Sequence, residues 1–300
     1  MTDFHTTFSA SRAPGDAIVH GQYDKRTGSW QYICADPQTR ACAIIDPVLD
    51  FEPAAARTST ASAEALLRTV ADQGYDVQWI LDTHPHADHL TAGRWLADRT
   101  GAPHVIGAKV TQIAEIWRKL YHLPDAFDPA ADFDRLLADD ATFRIGEMEV
   151  RVMLSAGHTL GSITYVTSGA AFVHDTLMQP DSGTARADFP GGSSAELWDS
   201  LQEILSLPED TRLFIGHDYG TKDRETPACE ATVAEHLASN IHVKRGTRRE
   251  EYIATRDARD ATLGMPTQIL FALQANLRGG RLPPAEADGH SYFKIPANRF

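Results

Sequence analysis

The first half of the chain alternates short β-branched and aromatic runs with amphipathic stretches. The short runs are separated by turn residues such as Thr27-Gly28 and Asp36-Pro37, which is typical of strands. The predicted strands of this half are residues 17–23, 31–36, 41–48, 77–83 and 104–106. The predicted helices, where apolar residues recur with helical spacing, are residues 61–73, 90–100 and 108–121. Residues 77–83 are apolar almost throughout, so they predict a strand that is buried on both faces.

The second half continues this alternation and then becomes helical. Residues 122–140 contain two prolines and many aspartates, and they predict an irregular excursion. Four short strands are predicted between residues 142 and 175, and another at 212–216. The predicted helices are residues 194–206, 225–239, 249–260 and 266–276. The strands are expected to stop near residue 225, so a region of sheets covered by helices is followed by a helical extension.

Charge and cysteine content narrow the possible classes of function. The 300 residues include 28 basic and 41 acidic side chains, for a formal net charge of −13. An acidic surface repels phosphate backbones, so nucleic acid is not an expected partner. No apolar run approaches about 18 residues, so no membrane span is expected. Cys34 and Cys42 are predicted core residues and Cys229 falls on the predicted helix 225–239; three cysteines without a CxxC pair indicate a reducing compartment, here the cytoplasm.

Histidine and aspartate side chains follow four predicted strands at the point where each strand ends. The segment THPHADH follows the apolar run 77–83, and the segments SAGHTLGS, FVHDTL and LFIGHDYG follow later strands. The residues concerned are His84, His86, Asp88, His89, His158, Asp175 and His217. A single histidine at a strand end is usually a capped or solvated side chain. Together, on strand-end loops where rigid scaffolds present functional groups, these residues indicate a site for zinc, iron or manganese.

This four-part motif resembles that of the metallo-β-lactamase superfamily over roughly residues 15–220. The resemblance implies an α/β fold, namely an αββα sandwich of two sheets flanked by helices, with metals held along one edge. It assigns residues 1–224 to that domain and residues 225–300 to a short helical C-terminal extension packed on it.

Two branches of the superfamily share the whole ligand set. One is the glyoxalase II type, a dinuclear hydrolase of glutathione thioesters. The other is the persulfide dioxygenase (sulfur dioxygenase) type, which oxidises glutathione persulfide to sulfite with one iron and O2. Arg186, Asp188 and Phe189 match the Arg-x-Asp-Phe pattern of the dioxygenases, and PTQILFALQANLRGG resembles their Pro-x-x-Ile…Asn-x-Arg segment. The chain departs at Asp181-Ser182-Gly183, where relatives often carry Gly-Cys-Gly, yet the resemblance favours the dioxygenase branch and a role in sulfide detoxification.

The two branches give the same residues different roles. The dioxygenase resemblance implies that Fe(2+) is held by His84, His158 and Asp175, a facial triad with an open face. It places four further residues around that triad as catalytic residues, namely His86, Asp88, His89 and His217. The hydrolase alternative implies two Zn(2+) ions, with His84, His86 and His158 on one, Asp88, His89 and His217 on the other, and Asp175 between them. A metal-binding module without turnover is the third alternative.

Both branches imply a glutathione pocket, and glutathione carries net negative charge. An acidic protein therefore needs a local basic site, and residues 243–250 are the densest basic cluster. Arg248 or Arg249 in this cluster is predicted to hold the glutathione carboxylate, although the cluster is equally consistent with a solvated helix start. Tyr219, in the place of a tyrosine that contacts glutathione in glyoxalase-type relatives, and Arg186 are further candidates. Glutathione persulfide and O2 are the expected partners, and the resemblance also implies a homodimer.

Overall fold

The structure, a computed structural model, describes residues 4–299, so residues 1–3 and 300 at the outer ends of the two predicted segments lie outside it. The strands of the described part are β1 (His5–Ser9), β2 (Ile18–Asp24), β3 (Ser29–Ala35), β4 (Ala41–Ile45), β5 (Val48–Glu52), β6 (Arg57–Ser59), β7 (Asp76–Leu81), β8 (Leu90–Thr91), β9 (His104–Gly107), β10 (Arg135–Leu137), β11 (Thr142–Ile145), β12 (Met148–Leu154), β13 (Ile163–Thr167), β14 (Ala170–His174), β15 (Arg212–Ile215) and β16 (Glu230–Thr232). The helices are α1 (Ala61–Gln73), α2 (Gly93–Thr100), α3 (Val110–Tyr121), α4 (Pro129–Asp132), α5 (Ser194–Ile204), α6 (Val233–Ser239), α7 (Arg249–Asp260) and α8 (Ile269–Asn276).

Two large sheets form the centre of the molecule. The first has seven strands in the order β1-β2-β3-β4-β7-β9-β10, and the second has six in the order β11-β12-β13-β14-β15-β16. The sheets pack face to face. Between them, the ring of Tyr32 from the first sheet contacts the rings of Phe172 and Phe214 from the second, with centroids 5.5 Å apart. A small three-stranded sheet, β6-β5-β8, lies beside them.

Strand β3 shows why the first sheet is buried on both faces. Successive side chains of a strand point to opposite faces. Tyr32 and Cys34 enter the core between the sheets, and Ile33 and Ala35 enter a second core formed with residues of α1, α2, α3 and α8. The predicted αββα sandwich is therefore confirmed.

Several predicted helices begin or end where the sequence indicates. Helix α1 covers the predicted residues 61–73 and ends at Gly74, whose φ of +64° is the left-handed conformation that glycine adopts readily. Helix α7 covers the predicted residues 249–260. Helices α2 and α3 begin two or three residues later than predicted. Strand β8 occupies residues 90–91, and Lys109 is the N-cap residue that precedes α3.

The expectation that strands stop near residue 225 is wrong. Strand β16 pairs antiparallel with β15 and extends the second sheet. The predicted helix 225–239 begins only at Val233, because the Thr232 hydroxyl accepts from the backbone N–H of Glu235 and the Glu235 carboxylate accepts from that of Thr232. Cys229 consequently lies before β16 and not in a helix, although it is buried like Cys34 and Cys42.

The excursion at 122–140 is more regular than predicted. It contains α4 and then β10, which pairs parallel with β9 and becomes an edge strand of the first sheet. Within residues 4–299, no helix is both long and apolar enough to cross a bilayer.

Candidate metal centre

Two parallel strand pairs bring the candidate ligands to one edge of the sandwich. Strand β4 runs parallel to β7, so Asp46 and His84 follow neighbouring strands on the same side. Strand β14 runs parallel to β15 in the other sheet, so Asp175 and His217 also emerge together. The carboxyl ends of neighbouring parallel strands meet at the same sheet edge, which is where such folds place ligand sites.

Two histidines and one aspartate converge at the centre of this edge. The Nε2 atoms of His84 and His158 each lie 3.5 Å from Oδ2 of Asp175. All three side chains are buried. Ligands that share one ion at about 2.1 Å lie roughly 3–3.5 Å apart, so these atoms have the spacing of a common coordination sphere.

The outer nitrogens of both histidines are held by neighbouring groups. Nδ1 of His84 lies 3.0 Å from the Thr83 hydroxyl. Nδ1 of His158 donates to the Arg186 carbonyl at 2.8 Å. Such bonds fix the tautomer and the ring orientation, so that Nε2 is the atom presented to a metal.

The other four candidates form a chain of contacts on one side of this triad. Nε2 of His86 lies 3.0 Å from Asp46, and Nδ1 of His89 lies 2.9 Å from Asp88. His217 links the His89–Asp88 pair to the triad, since its Nε2 lies 2.6 Å from Asp88 and its Nδ1 contacts Asp175. The structure thus brings all seven predicted residues together.

Burial and neighbouring charges set the protonation of these side chains. Burial lowers the pKa of His158 to about 4 and lowers that of His86 well below its ordinary value, so both imidazoles are neutral and able to ligate. Burial also opposes a charge on His217, but the Asp175 and Asp88 carboxylates raise its pKa well above the ordinary value. Burial raises the pKa of Asp46 to about 6.

The residues present fit a metal ion on three counts. The described residues include buried imidazole nitrogens without a hydrogen-bond partner at Nε2 of His84, Nδ1 of His86 and Nε2 of His89. Buried polar atoms are normally paired, so unpaired ones that converge indicate a missing partner. Triplets of ligand atoms also cluster, among them His84, His86 and Asp175. Imidazole and carboxylate donors suit zinc, iron and manganese alike.

Asn276, in α8, holds the THPHADH loop from the far end of the chain. Its Nδ2 donates to the carbonyls of His86 and His89, each at 2.8 Å, and its Oδ1 accepts from the backbone N–H of Thr91. The side chain is 1% exposed. In the sequence, Asn276 is only part of the Asn-x-Arg segment. No role could be predicted for it, because its contacts join positions that are 185–190 residues apart.

Gly157 allows the loop of His158 to approach α5. Its φ is +132°, and a Cβ at this position would lie 2.3 Å from the backbone of Leu197. A glycine is therefore required here both by backbone conformation and by space. The glycine of the SAGHT segment is therefore explained by the close packing of this loop against α5.

A cavity of about 600 Å³ opens beside the metal centre. His158, Asp175 and His217 line it, together with Tyr219 and Arg186, whose contact with glutathione stays a prediction. The Tyr219 ring stacks on His217 with centroids 5.7 Å apart. The Arg186 guanidinium is already held by both oxygens of Asp188, at 2.6 and 2.7 Å, so its charge is largely balanced.

Arg248 and Arg249 do not line this cavity, and their contact with glutathione stays a prediction. Arg248 is exposed and pairs with Glu251, and Arg249 lies 3.5 Å from Asp199. Two later arginines of α7 line the cavity instead, because they lie two or three turns further along the helix. Arg256 is buried and bonded to Asp260, whereas Arg259 is exposed and its guanidinium makes no ion pair or hydrogen bond with any described residue.

Two histidines to which the sequence interpretation gives no role are also buried beside the centre. His104 lies 2.9 Å from Asp82, which also accepts from the Thr91 hydroxyl. His174 contacts the hydroxyls of Ser155 and Thr176, and its ring centroid lies 5.0 Å from that of His84. They support the strands that carry the ligands.

Comparisons with known proteins place this site in a family. The sequence matches the metallo-β-lactamase superfamily over residues 28–217. A β-lactamase hydrolase-like protein of Xylella fastidiosa is 52% identical over 93% of this chain, and the chain spans 64% of that relative's length. Glyoxylase B2 of Dictyostelium discoideum is 39% identical over 93% of this chain and 96% of its own length. The mitochondrial persulfide dioxygenase ETHE1 of Mus musculus is 27% identical over 92% of this chain and 94% of its own length.

A solved structure agrees with these relatives. ETHE1 from Myxococcus xanthus superposes with a TM-score of 0.70 and 28% identity, covering 88% of this chain and all of that one. Both the motif and the sandwich therefore match, and the chain belongs to the metallo-β-lactamase superfamily.

Proposed function

We propose that this chain is a persulfide dioxygenase that oxidises glutathione persulfide with O2 at a single Fe(2+) held by His84, His158 and Asp175. The observation that carries the proposal is the common 3.5 Å separation of the two Nε2 atoms from one Asp175 oxygen. Two histidines and one carboxylate with an open face are typical of non-heme iron oxygenases. The similarity to persulfide dioxygenase ETHE1 over 92% of the chain supports the same reaction.

The remaining four candidates are bonded to one another or to nearby carboxylates in a way that suits a supporting role. Nε2 of His86 lies beside Asp46, and both nitrogens of His217 lie beside carboxylates. They orient the THPHADH loop and Asp175, and they supply hydrogen-bonding groups to an oxidised sulfur. Second-layer contacts of this kind typically change metal affinity or activity about 10–100-fold.

The reaction balances without a further oxidant. Glutathione persulfide, O2 and one water give glutathione, sulfite and two protons. The outer sulfur of the persulfide loses four electrons as it becomes sulfite, and O2 accepts those four electrons. Bound Fe(2+) would supply adjacent coordination positions for the persulfide and O2. The chain's own residues then bind the tripeptide, exclude water from the buried triad and hold Asp175 in its ionised form.

The 600 Å³ cavity offers a place for the tripeptide. His158 and Asp175 of the triad line it, so that a sulfur in the cavity can approach the metal. Arg259 stands at its edge with an unpaired guanidinium, which suits a carboxylate of glutathione. The exposed ring of Tyr219 forms the opposite wall.

A dinuclear thioesterase is the second candidate function. Nδ1 of His86 and Nε2 of His89 are buried and unpartnered. A second metal held by Asp88, His89 and His217 would bind Nε2 of His89. The relative named Glyoxylase B2 shares 39% identity with this chain. In that case two Zn(2+) ions would activate a water for attack on a thioester carbonyl.

Iron content of two variants separates the candidates. Purified anaerobically with Fe(2+), the wild-type chain is expected to hold one iron, His158→Ala none, and His89→Ala still one. The measurement is iron per chain by elemental analysis, with circular dichroism to check that each variant is folded. Two metals in the wild-type chain, with equal losses in His89→Ala and His158→Ala, would establish the dinuclear alternative.

A further inference from the structure

A second, smaller cavity adjoins the large one at His158. Its volume is about 20 Å³, enough for one molecule of two or three atoms. Ala87, His158 and Phe189 line both cavities, so these three side chains form the partition between them. His84 lines the small cavity and is absent from the lining of the large one.

The wall of the small cavity is mostly apolar. Ile113 of α3 and Ile269 and Leu273 of α8 are each 3% exposed and face it from two helices. Pro85 and Pro190 complete the wall and have no backbone N–H to offer. An apolar cavity of this kind stays dry and binds apolar solutes.

The polar groups on the wall are already engaged elsewhere. Nδ1 of His84 lies beside the Thr83 hydroxyl, Nδ1 of His158 donates to the Arg186 carbonyl, and the Thr159 hydroxyl lies 2.7 Å from that of Ser162. The Nε2 atoms of both histidines face Asp175. A buried water needs about two to four polar partners, and apart from Nε2 of His84, which a bound metal would occupy, these side chains offer it none.

We propose that this cavity is a binding site for O2 beside the metal centre, separate from the cavity that takes the polar substrate. The inference rests on the proposed dioxygenase function. O2 is a small apolar molecule, which the Ile113, Leu273 and Ile269 side chains receive without loss of hydrogen bonds. The anionic tripeptide is restricted to the large cavity with Arg259, so the two substrates reach the triad from different sides.

Xenon binding tests the cavity independently of catalysis. Crystals of the full chain under xenon pressure are expected to show one xenon atom between α3 and α8. Leu273→Phe fills the cavity and should abolish that xenon, while Leu273→Ala enlarges it and should increase the occupancy. Leu270→Phe is the matched control, because Leu270 lies on the same helix, is half-buried and does not line the cavity. An ordered water in the wild-type cavity, with no xenon, would overturn the proposal whatever the activity.

Steady-state kinetics of the Fe(2+)-loaded protein test the role of the cavity. Leu273→Phe is expected to raise KM for O2 roughly four- to fifteenfold, the factor given by loss of one or two buried carbon-sized contacts, and to leave KM for glutathione persulfide unchanged. Leu270→Phe should match the wild-type chain. An active Leu273→Phe that has lost xenon but keeps its KM for O2 would contradict the inference and leave the dioxygenase function standing. A wild-type chain that consumes no O2 with the persulfide would refute the proposed function and the O2 role together.

Discussion

Individual hydrogen bonds determine how accurately the THPHADH loop, hereafter the metal loop, is positioned. The seven candidate ligands could be predicted from sequence because five of the thirteen histidines follow buried strands in short, recognisable segments. Asp46 and Asn276 could not, since a lone aspartate after a strand and a lone asparagine in a helix have no distinctive spacing. Their roles depend on contacts with His86 across 40 and 190 residues. Arg248 and Arg249 lie outside the cavity lining. A basic run in sequence does not show which part of a helix meets a cavity.

Asn276→Ala tests the loop contact. The substitution leaves three buried backbone groups without a partner, at about 1–3 kcal/mol for each group. The free energy of unfolding is expected to fall by about 3 kcal/mol or more, and metal affinity by about 10–100-fold. Urea unfolding and chelator competition measure the two quantities.

Asn240→Ala is the matched control for that variant. Asn240 is also buried and bonds three backbone groups, the Gly183 carbonyl and the N–H groups of His242 and Val243, but it does not touch the metal loop. It should lose stability and keep its metal affinity. Equal metal affinities for the two variants would rule out a positioning role for Asn276.

Arg259→Ala tests the substrate side of the cavity. Removing the unpaired guanidinium should raise KM for a glutathione-based substrate about tenfold or more, since a charge-assisted hydrogen bond contributes about 1.5–3 kcal/mol. The turnover number should change little, because the arginine does not touch the triad. Arg249→Ala, on the same helix but outside the cavity lining, should leave KM unchanged. A KM that rises in Arg249→Ala and not in Arg259→Ala would support the sequence-based prediction.

At the scale of whole elements, long periodic segments were predictable and short ones were not. Helices α1 and α7 match their predicted residues because apolar spacing and the terminal Gly74 are local signals. Strands β6, β10 and β16 have three residues each, too few for an alternating pattern to be seen. These strands exist because neighbouring strands offer them hydrogen-bond partners, which no local pattern reveals.

Helix α7 supports the metal centre through a buried ion pair. Arg256 and Asp260 are 2% and 4% exposed, with Nε 2.9 Å from Oδ1. Asp260 also accepts from the backbone N–H of Ala187, and Arg256 donates to the Thr184 carbonyl. These bonds tie α7 to the segment whose Arg186 carbonyl orients His158.

Arg256→Met tests that connection. It leaves the Asp260 carboxylate buried and unpaired, so we expect a loss of about 3–5 kcal/mol in the free energy of unfolding. The matched control is Arg248→Met, which removes an exposed pair from the start of the same helix and should have no measurable effect. Chemical denaturation compares them; a small effect of Arg256→Met would show that the pair is not needed for the fold.

At the scale of the whole molecule, the C-terminal segment contributes to the metal centre. The sandwich and its active edge could be predicted because the motif is specific to a superfamily. The division at residue 224, the homodimer and the cytoplasmic location stay predictions. Strand β16 and Asn276 connect the C-terminal segment to the sheet and to the metal loop.

Metal binding should therefore stabilise the whole fold. An ion that binds the folded chain and not the unfolded one adds about 4 kcal/mol at a free concentration roughly 1,000 times its Kd. Thermal unfolding with and without Fe(2+) or Zn(2+) should show a higher Tm with metal. His158→Ala should lose this shift, and His290→Ala, an exposed histidine far along the chain, should keep it. A metal-induced shift that survives in His158→Ala would place the ion elsewhere.

The central claim is the reaction, and O2 uptake tests it most directly. Anaerobically prepared protein with one Fe(2+) per chain is mixed with glutathione persulfide and a known amount of O2, and sulfite is measured beside the oxygen consumed. We expect rapid O2 uptake, with one sulfite formed per O2 consumed. No uptake by iron-replete protein, together with hydrolysis of S-lactoylglutathione by the zinc-loaded form, would contradict it.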